Sequence, residues 1–236
     1  MTMLSLIRGF CDRTAIPAPS FVAGSTNAQT IQLLALLNEV LEDLCDRWTW
    51  QALQTESVFT TVDGELQGTL STLAPVGFMS IINDTIYNRT LRLPVYGPIS
   101  PTKWQALKTL PNSGPFYKYR IRGDQLLFNP PGIAGQTCAF EYKSSFAVLD
   151  STGTAKTATN ADADTFLFPD TLLMAGLRWK WRSEKGLDYA EELRRYEELA
   201  NNAAGRDATK PIICMSGDAT PFKPGIFVPA GNWMQT

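Results

Sequence analysis

The chain has 236 residues, of which 44% are hydrophobic and 19% charged, proportions that exclude a disordered chain, a collagen and a coiled coil. Twenty-one basic residues nearly balance 23 acidic ones, so the net charge of -2 gives no overall attraction to nucleic acid or an anionic membrane. The chain has no histidine, which removes the commonest general base and the commonest metal ligand. We therefore expect neither catalysis nor a bound cofactor.

Two helices are predicted near the start of the chain. Residues 3–13 carry apolar side chains at helical spacing, and Pro17 and Pro19 follow them. A second helix is predicted over residues 27–47, with an N-cap among residues 25–27 and apolar residues recurring from Ile31 to Trp48. This helix would be about 30 Å long, enough to cross a whole domain.

The middle of the chain predicts a β insertion over residues 55–145. Short segments rich in β-branched and aromatic residues indicate strands, and residues 83–85 are a candidate hairpin turn. Ser100 and Pro101 predict the start of a short helix within this insertion. The expected result is a small, mostly antiparallel sheet.

Helical spacing returns after residue 160. Helices are predicted over residues 169–184 and 187–204, with Gly186 between them, and so short a connection predicts an antiparallel pair. Residues 207–236 combine four prolines with apolar segments, which predicts an extended arm that lies against another surface. The predicted class is α+β: a bundle of long helices with an inserted sheet, forming a body over residues 1–206, and an arm over residues 207–236.

Four groups of residues have both a structural and a functional interpretation. The scattered cysteines 11, 45, 138 and 214 lack zinc-site spacing and favour reduced thiols over two disulfides. Asp162 and Asp164, with Glu141, favour turn capping over a cation site. The run 178–182 favours tryptophans packed on the sheet and paired arginines over nucleic-acid binding. Basic residues at 118, 120 and 122 favour protection of a sheet edge over contact with DNA or an acidic partner.

Several segments together resemble a family of tailed-phage structural proteins. The resemblance covers roughly residues 5–205 and is to the head-to-tail adaptors beneath the portal, which are similar in layout to the tail tubular protein A family. The segments that carry it are 37–39, 48–53, 81–90, 97–101, 104–105, 119–123, 140–142 and 185–191.

The resemblance implies a non-enzymatic virion protein at the head-tail junction, made in the host cytoplasm and independent of membranes. It implies a ring of identical subunits, most often twelve, between the portal protein and a tail tube or nozzle protein, with DNA passing through the centre. It also implies that the arm reaches along the portal. The candidate anchor residues of that arm are Pro211, Ile212, Ile213, Phe222, Ile226, Phe227, Val228 and Trp233.

An acidic or mixed channel wall is expected in such a ring, because a strongly basic wall would hold DNA during its passage. The candidate channel-lining residues are Glu184, Asp188, Glu191 and Glu192, for which a solvated helix face is the alternative. Two other functions remain open. One is a tail or baseplate module that binds protein or carbohydrate, with which the aromatic, β-rich middle of the chain is compatible. The other is an enzyme that uses only carboxylates, and its catalytic residues would have to be Glu141, Asp162 and Asp164.

Overall fold

The computed structural model describes residues 1–74, 77–109, 114 and 116–207. Within these residues the fold is α+β, as predicted. The helices are α1 (Met3–Thr14), α2 (Ala28–Arg47), α3 (Leu70–Leu73), α4 (Pro101–Thr109), α5 (Asp170–Glu184) and α6 (Ala190–Asp207). The strands are β1 (Gln54–Thr60), β2 (Gly64–Thr69), β3 (Phe78–Ile81), β4 (Tyr87–Asn88), β5 (Leu93–Pro94), β6 (Lys118–Arg122), β7 (Gln125–Gly132), β8 (Thr137–Ser144), β9 (Val148–Leu149), β10 (Ala155–Lys156) and β11 (Thr165–Phe166).

Local chemistry sets the ends of the long helices. The Asn27 side chain accepts hydrogen bonds from the backbone N–H groups of Gln29 and Thr30, which caps α2 one residue before its start. The last helix begins at Ala190 rather than at residue 187. Gly186 has a φ of 68°, and the Asp188 carboxylate accepts the N–H of Ala190, so the connection lasts until this cap.

The helices α1, α2, α5 and α6 share one apolar core. Leu37, Leu44, Leu173 and Tyr196 are among its fully buried side chains. Ile31, which its spacing placed on the buried face of α2, is instead 52% exposed. It lies in the first turn of α2, on a side of the helix that the described part of the chain leaves uncovered.

The β insertion contains two sheets with a common aromatic core. One has the strand order β1-β8-β4-β5, with β3 also paired to β8, and the other has the order β2-β7-β6. Phe59 of β1 lies between Phe128 and Phe140, at ring-centroid distances of 6.3 and 5.9 Å. All strand pairings within these sheets are antiparallel.

The predicted hairpin at residues 83–85 was wrong. A turn is present, with Asp84 at a φ of 62°, but it does not pair β3 with β4. Because β1 occupies one edge of β8, both β3 and β4 pair with the other edge, one after the other. Between them Ile82 still donates its N–H to the Glu141 carbonyl. The turn therefore connects two strands that pair, one after the other, with the same edge of β8.

A third sheet, of order β10-β9-β11, lies in the segment between β8 and α5. Its strands are two residues long, too short for a periodic pattern. The segment also holds the start of α1: the backbone N–H of Met3 donates to the Asp164 carbonyl, and Thr2 forms a bridge with Thr165. This contact joins the first helix to a loop about 160 residues further along the chain.

Candidate functional site: the acidic end of the helices and the end of α6

The four predicted channel residues lie around the connection between α5 and α6 but do not share one face. Glu184 and Asp188 are exposed, and Glu191 is exposed and paired with Arg194 at 2.5 Å. The pairing with Arg194 lowers the pKa of the Glu191 carboxyl. Glu192 differs from these, because its side chain is only 15% exposed and contacts Arg178 at 2.8 Å. Three of the four carboxylates are therefore accessible at this end of the helices.

The end of α6 is held in place by Gln51. Asp207, the last residue of α6, accepts the backbone N–H of Gln51 at 2.7 Å, and its carbonyl accepts the Gln51 side-chain amide. Gln51 lies three residues before β1. No local signal in the sequence could have predicted this contact, because the partners are 156 residues apart. The eight predicted arm anchors, from Pro211 to Trp233, lie outside the described residues.

The aromatic and basic run on α5 is engaged within the protein. Trp179 packs on Tyr196 and Trp181 on Phe10, with ring centroids 6.0 and 5.7 Å apart. The predicted packing of these tryptophans on the sheet was wrong, since both join the helical core. The predicted pairing of the arginines with carboxylates is found for Arg178, which contacts Glu192. Arg182 instead donates to the backbone carbonyl of Asp188, and Lys180 pairs with Glu39. These contacts leave little of the run for a nucleic-acid surface.

Asp164 caps its own turn, as expected, whereas Asp162 binds backbone groups of a segment far away in the chain. The Asp162 carboxylate accepts the N–H groups of Val22 and Ala23 at 3.0 and 2.8 Å. The fully buried Asp164 contacts Lys156 at 2.8 Å and accepts the N–H groups of residues 160 and 161. Among the described residues no group of three or more acidic or cysteine side chains is arranged to hold a metal ion.

The basic residues 118, 120 and 122 lie on β6, which ends its sheet. The outer edge of β6 is not bare, however. Tyr96 exchanges backbone hydrogen bonds with Tyr117 and Tyr119, and the N–H of Ile99 donates to Tyr119. Backbone pairing thus protects this edge together with the charges.

The three described cysteines, 11, 45 and 138, are free and buried. Burial raises the pKa of the Cys45 and Cys138 thiols to about 11. At pH 8 only about a thousandth of each would be thiolate, the reactive form.

Iodoacetamide at pH 8 is expected to leave Cys45 and Cys138 unmodified in the folded protein and to alkylate both in guanidinium chloride. Peptide mass spectrometry checks this result, and rapid alkylation of the folded chain would contradict it.

Comparison with known proteins decides the family. The family model described as SU10 adaptor protein matches residues 1–214, which include all the described helices and strands. The chain belongs to the SU10 adaptor family. The resemblance to phage head-to-tail adaptors is thereby confirmed. No curated protein matches the chain significantly.

Membership in the SU10 adaptor family gives the protein a structural role as a phage adaptor and makes it a virion component. This membership also implies interaction with portal and tail proteins of the phage. None of the helices in the described part of this adaptor is both long and apolar enough to cross a membrane.

Proposed function

We propose that the protein joins the portal to the tail as a ring of identical subunits, most often twelve, and that DNA passes through the centre of this ring. The observation that supports this proposal is the family match over residues 1–214. The packed core of α1, α2, α5 and α6 supports it further, because a ring subunit needs rigid elements to keep a constant angle between neighbours.

In this proposal the helical bundle, with α5 and α6 as an antiparallel pair, and the β insertion form the body. Residues beyond Asp207 form the arm that binds the portal. The hydrogen bonds between Asp207 and Gln51 support a fixed departure point for the arm. Its apolar residues, such as Ile226, Phe227 and Val228, would supply side-chain anchors, while the extended backbone would supply hydrogen bonds.

The exposed acidic end of the helices would face the channel. Glu184, Asp188 and Glu191 are accessible there, and carboxylates repel the DNA backbone and so do not retain it. Glu192 would contribute less, because it is already paired with Arg178. The protein would assemble in the host cytoplasm and remain at the head-tail junction of the virion.

Deletion of residues 208–236 tests the arm. The truncated chain is expected to keep the unfolding midpoint of the full chain, because the described core lies within residues 1–207. Its affinity for the portal of the same phage is expected to fall at least about a hundredfold, since several apolar anchors are lost together. Surface plasmon resonance measures the affinity, and electron microscopy of the mixtures shows whether rings form on the portal.

A full-length variant with Ile226, Phe227 and Val228 changed to serine is the matched control, because it keeps the length of the arm. It should also bind weakly. A truncated chain that binds the portal as tightly as the full chain would refute the arm. Binding of a carbohydrate or of a tail protein without any binding of the portal would favour the alternative module.

A further inference from the structure

A basic cavity lies on one side of the helical layer. It has a volume of about 500 Å³ and opens between α1, α5 and α6, and none of the functions above uses it. Met174 and Leu199 give it an apolar part. Four arginines and two carboxylates also line it: Arg13, Arg178, Arg195, Arg206, Asp170 and Glu192.

Three of the four arginines have no carboxylate partner within the described residues. Only Arg178 forms a side-chain ion pair, with Glu192. Arg13 and Arg206 donate to the carbonyl oxygens of Gly9 and Asn202 in their own helices. Arg195 is exposed, with no hydrogen bond or ion pair to the rest of the described chain. The cavity therefore carries an excess of positive charge beside apolar surface, which fits a ligand with both carboxylates and small apolar groups.

The outward face of α2 has this complementary chemistry. Ile31 and Ala35 are exposed one turn apart, and Glu42 and Asp46 are exposed on the same side further along. In the described part of the chain neither carboxylate forms an ion pair. This face thus offers an apolar half and an acidic half on one rigid helix.

The two surfaces lie on opposite sides of the helical layer. Successive residues of a helix are about 100° apart around its axis. On α5, Gly176 and Lys180 contact α2, and the positions that line the cavity therefore point roughly 170° away from these two residues. On α2 the exposed face points roughly 150° away from Val40, which packs on Gly176. Surfaces placed in this way cannot meet within one chain, but they can meet between chains.

We propose that the arginine-lined cavity of one subunit receives the outward face of α2 from a second copy of the chain. The contact is an exposed helix face in a groove, with Glu42 and Asp46 near the free arginines and Ile31 near the apolar part. Because two different surfaces meet, each copy can bind one neighbour on each side, as a closed ring requires. This inference rests on the proposed ring and names the contact between its subunits.

A charge exchange tests the contact. The groove variant carries Arg195→Glu and Arg206→Glu, and the helix variant carries Glu42→Lys and Asp46→Lys. Each alone is expected to self-associate at least about tenfold more weakly than the unchanged protein, because like charges face each other. An equimolar mixture should recover association, since every contact between the two variants joins opposite charges. Sedimentation velocity at increasing protein concentration measures this.

Arg122→Glu, an exposed change on β6, is the control and should leave association unchanged. A photo-reactive benzoylphenylalanine at position 31 provides a second measurement. It should cross-link to peptides that contain Met174 or Leu199 of another molecule. Cross-links that map elsewhere or are absent, or a mixture of variants that stays monomeric, would overturn the contact.

Portal binding separates this inference from the proposed function. If the charge variants associate like the unchanged protein while deletion of residues 208–236 still abolishes portal binding, the subunit contact falls and the adaptor function stands. If the exchange succeeds but the full chain binds no portal, the contact stands and the proposed function falls.

Discussion

Replacing Asp164 with alanine is expected to lower the free energy of unfolding by about 3 kcal/mol. The carboxylate is fully buried, and it accepts hydrogen bonds from Lys156, from the Thr159 hydroxyl and from two backbone N–H groups. Alanine would leave the N–H groups of residues 160 and 161 without this acceptor and Lys156 without its counterion. The same loop holds the first turn of α1 through the Asp164 carbonyl, so its loosening would reach the helical core. Urea unfolding monitored by tryptophan fluorescence measures the loss.

The effect of Asp164 should also depend on pH. Burial acts to raise the pKa of its carboxyl, but Lys156 and the N–H groups of residues 160 and 161 outweigh burial, so the pKa lies below its ordinary value. A carboxyl with a lowered folded pKa stabilises the fold above its unfolded pKa, about 3.9, and loses this contribution as the pH falls through the folded pKa. The difference between the unchanged protein and Asp164→Ala should therefore shrink below about pH 4.

Asp150 is the matched control for this experiment. It also caps a turn, since its carboxylate accepts the N–H groups of Thr152 and Thr154, but it is only partly buried. Asp150→Ala should change stability much less than Asp164→Ala. Equal effects of the two substitutions would contradict the importance of burial.

Replacing Gly176 with leucine is expected to cost about 3 kcal/mol or more, and replacing it with alanine about 1–2 kcal/mol. An added Cβ would lie 2.6 Å from a methyl group of Val40 and 3.1 Å from the ring of Tyr196. Both neighbours are fully buried, so neither can turn away into solvent. Helices α2 and α6 would have to move away from α5. Urea unfolding midpoints and slopes check the result.

Gly205→Ala is the control, because Gly205 lies within α6 and, outside its own helix backbone, no described atom lies within 4 Å of an added Cβ. That change should stabilise the protein by about 0.5–1 kcal/mol, the usual gain when alanine replaces a helical glycine. Combining Gly176→Ala with Val40→Ala should cost less than the sum of the two single changes, because the second removes the methyl group that the first meets. Additive costs would show that the two residues are not in contact.

Close packing at Gly176 illustrates what a single sequence leaves open. Its helical spacing indicates the buried side of α5, but not which side chains face it there. The partners Val40 and Tyr196 belong to different helices, and their approach depends on how three helices pack. The exposure of Ile31 has the same cause. Apolar spacing predicted a buried position, but among the described residues no element packs on that side of α2.

The sequence by itself determined the α+β class and the approximate extents of the long helices, because periodicity, capping residues, prolines and glycines act over a few neighbouring residues. It also carried the segments that resemble the adaptors. Tertiary structure alone decided that β3 and β4 share one edge of β8, that Trp179 and Trp181 join the helical core, and that Gln51 holds the end of α6. It also placed an arginine-lined cavity and an acidic helix face on opposite sides of one layer. These features join residues far apart in the chain, and only the packing of whole elements brings such residues together.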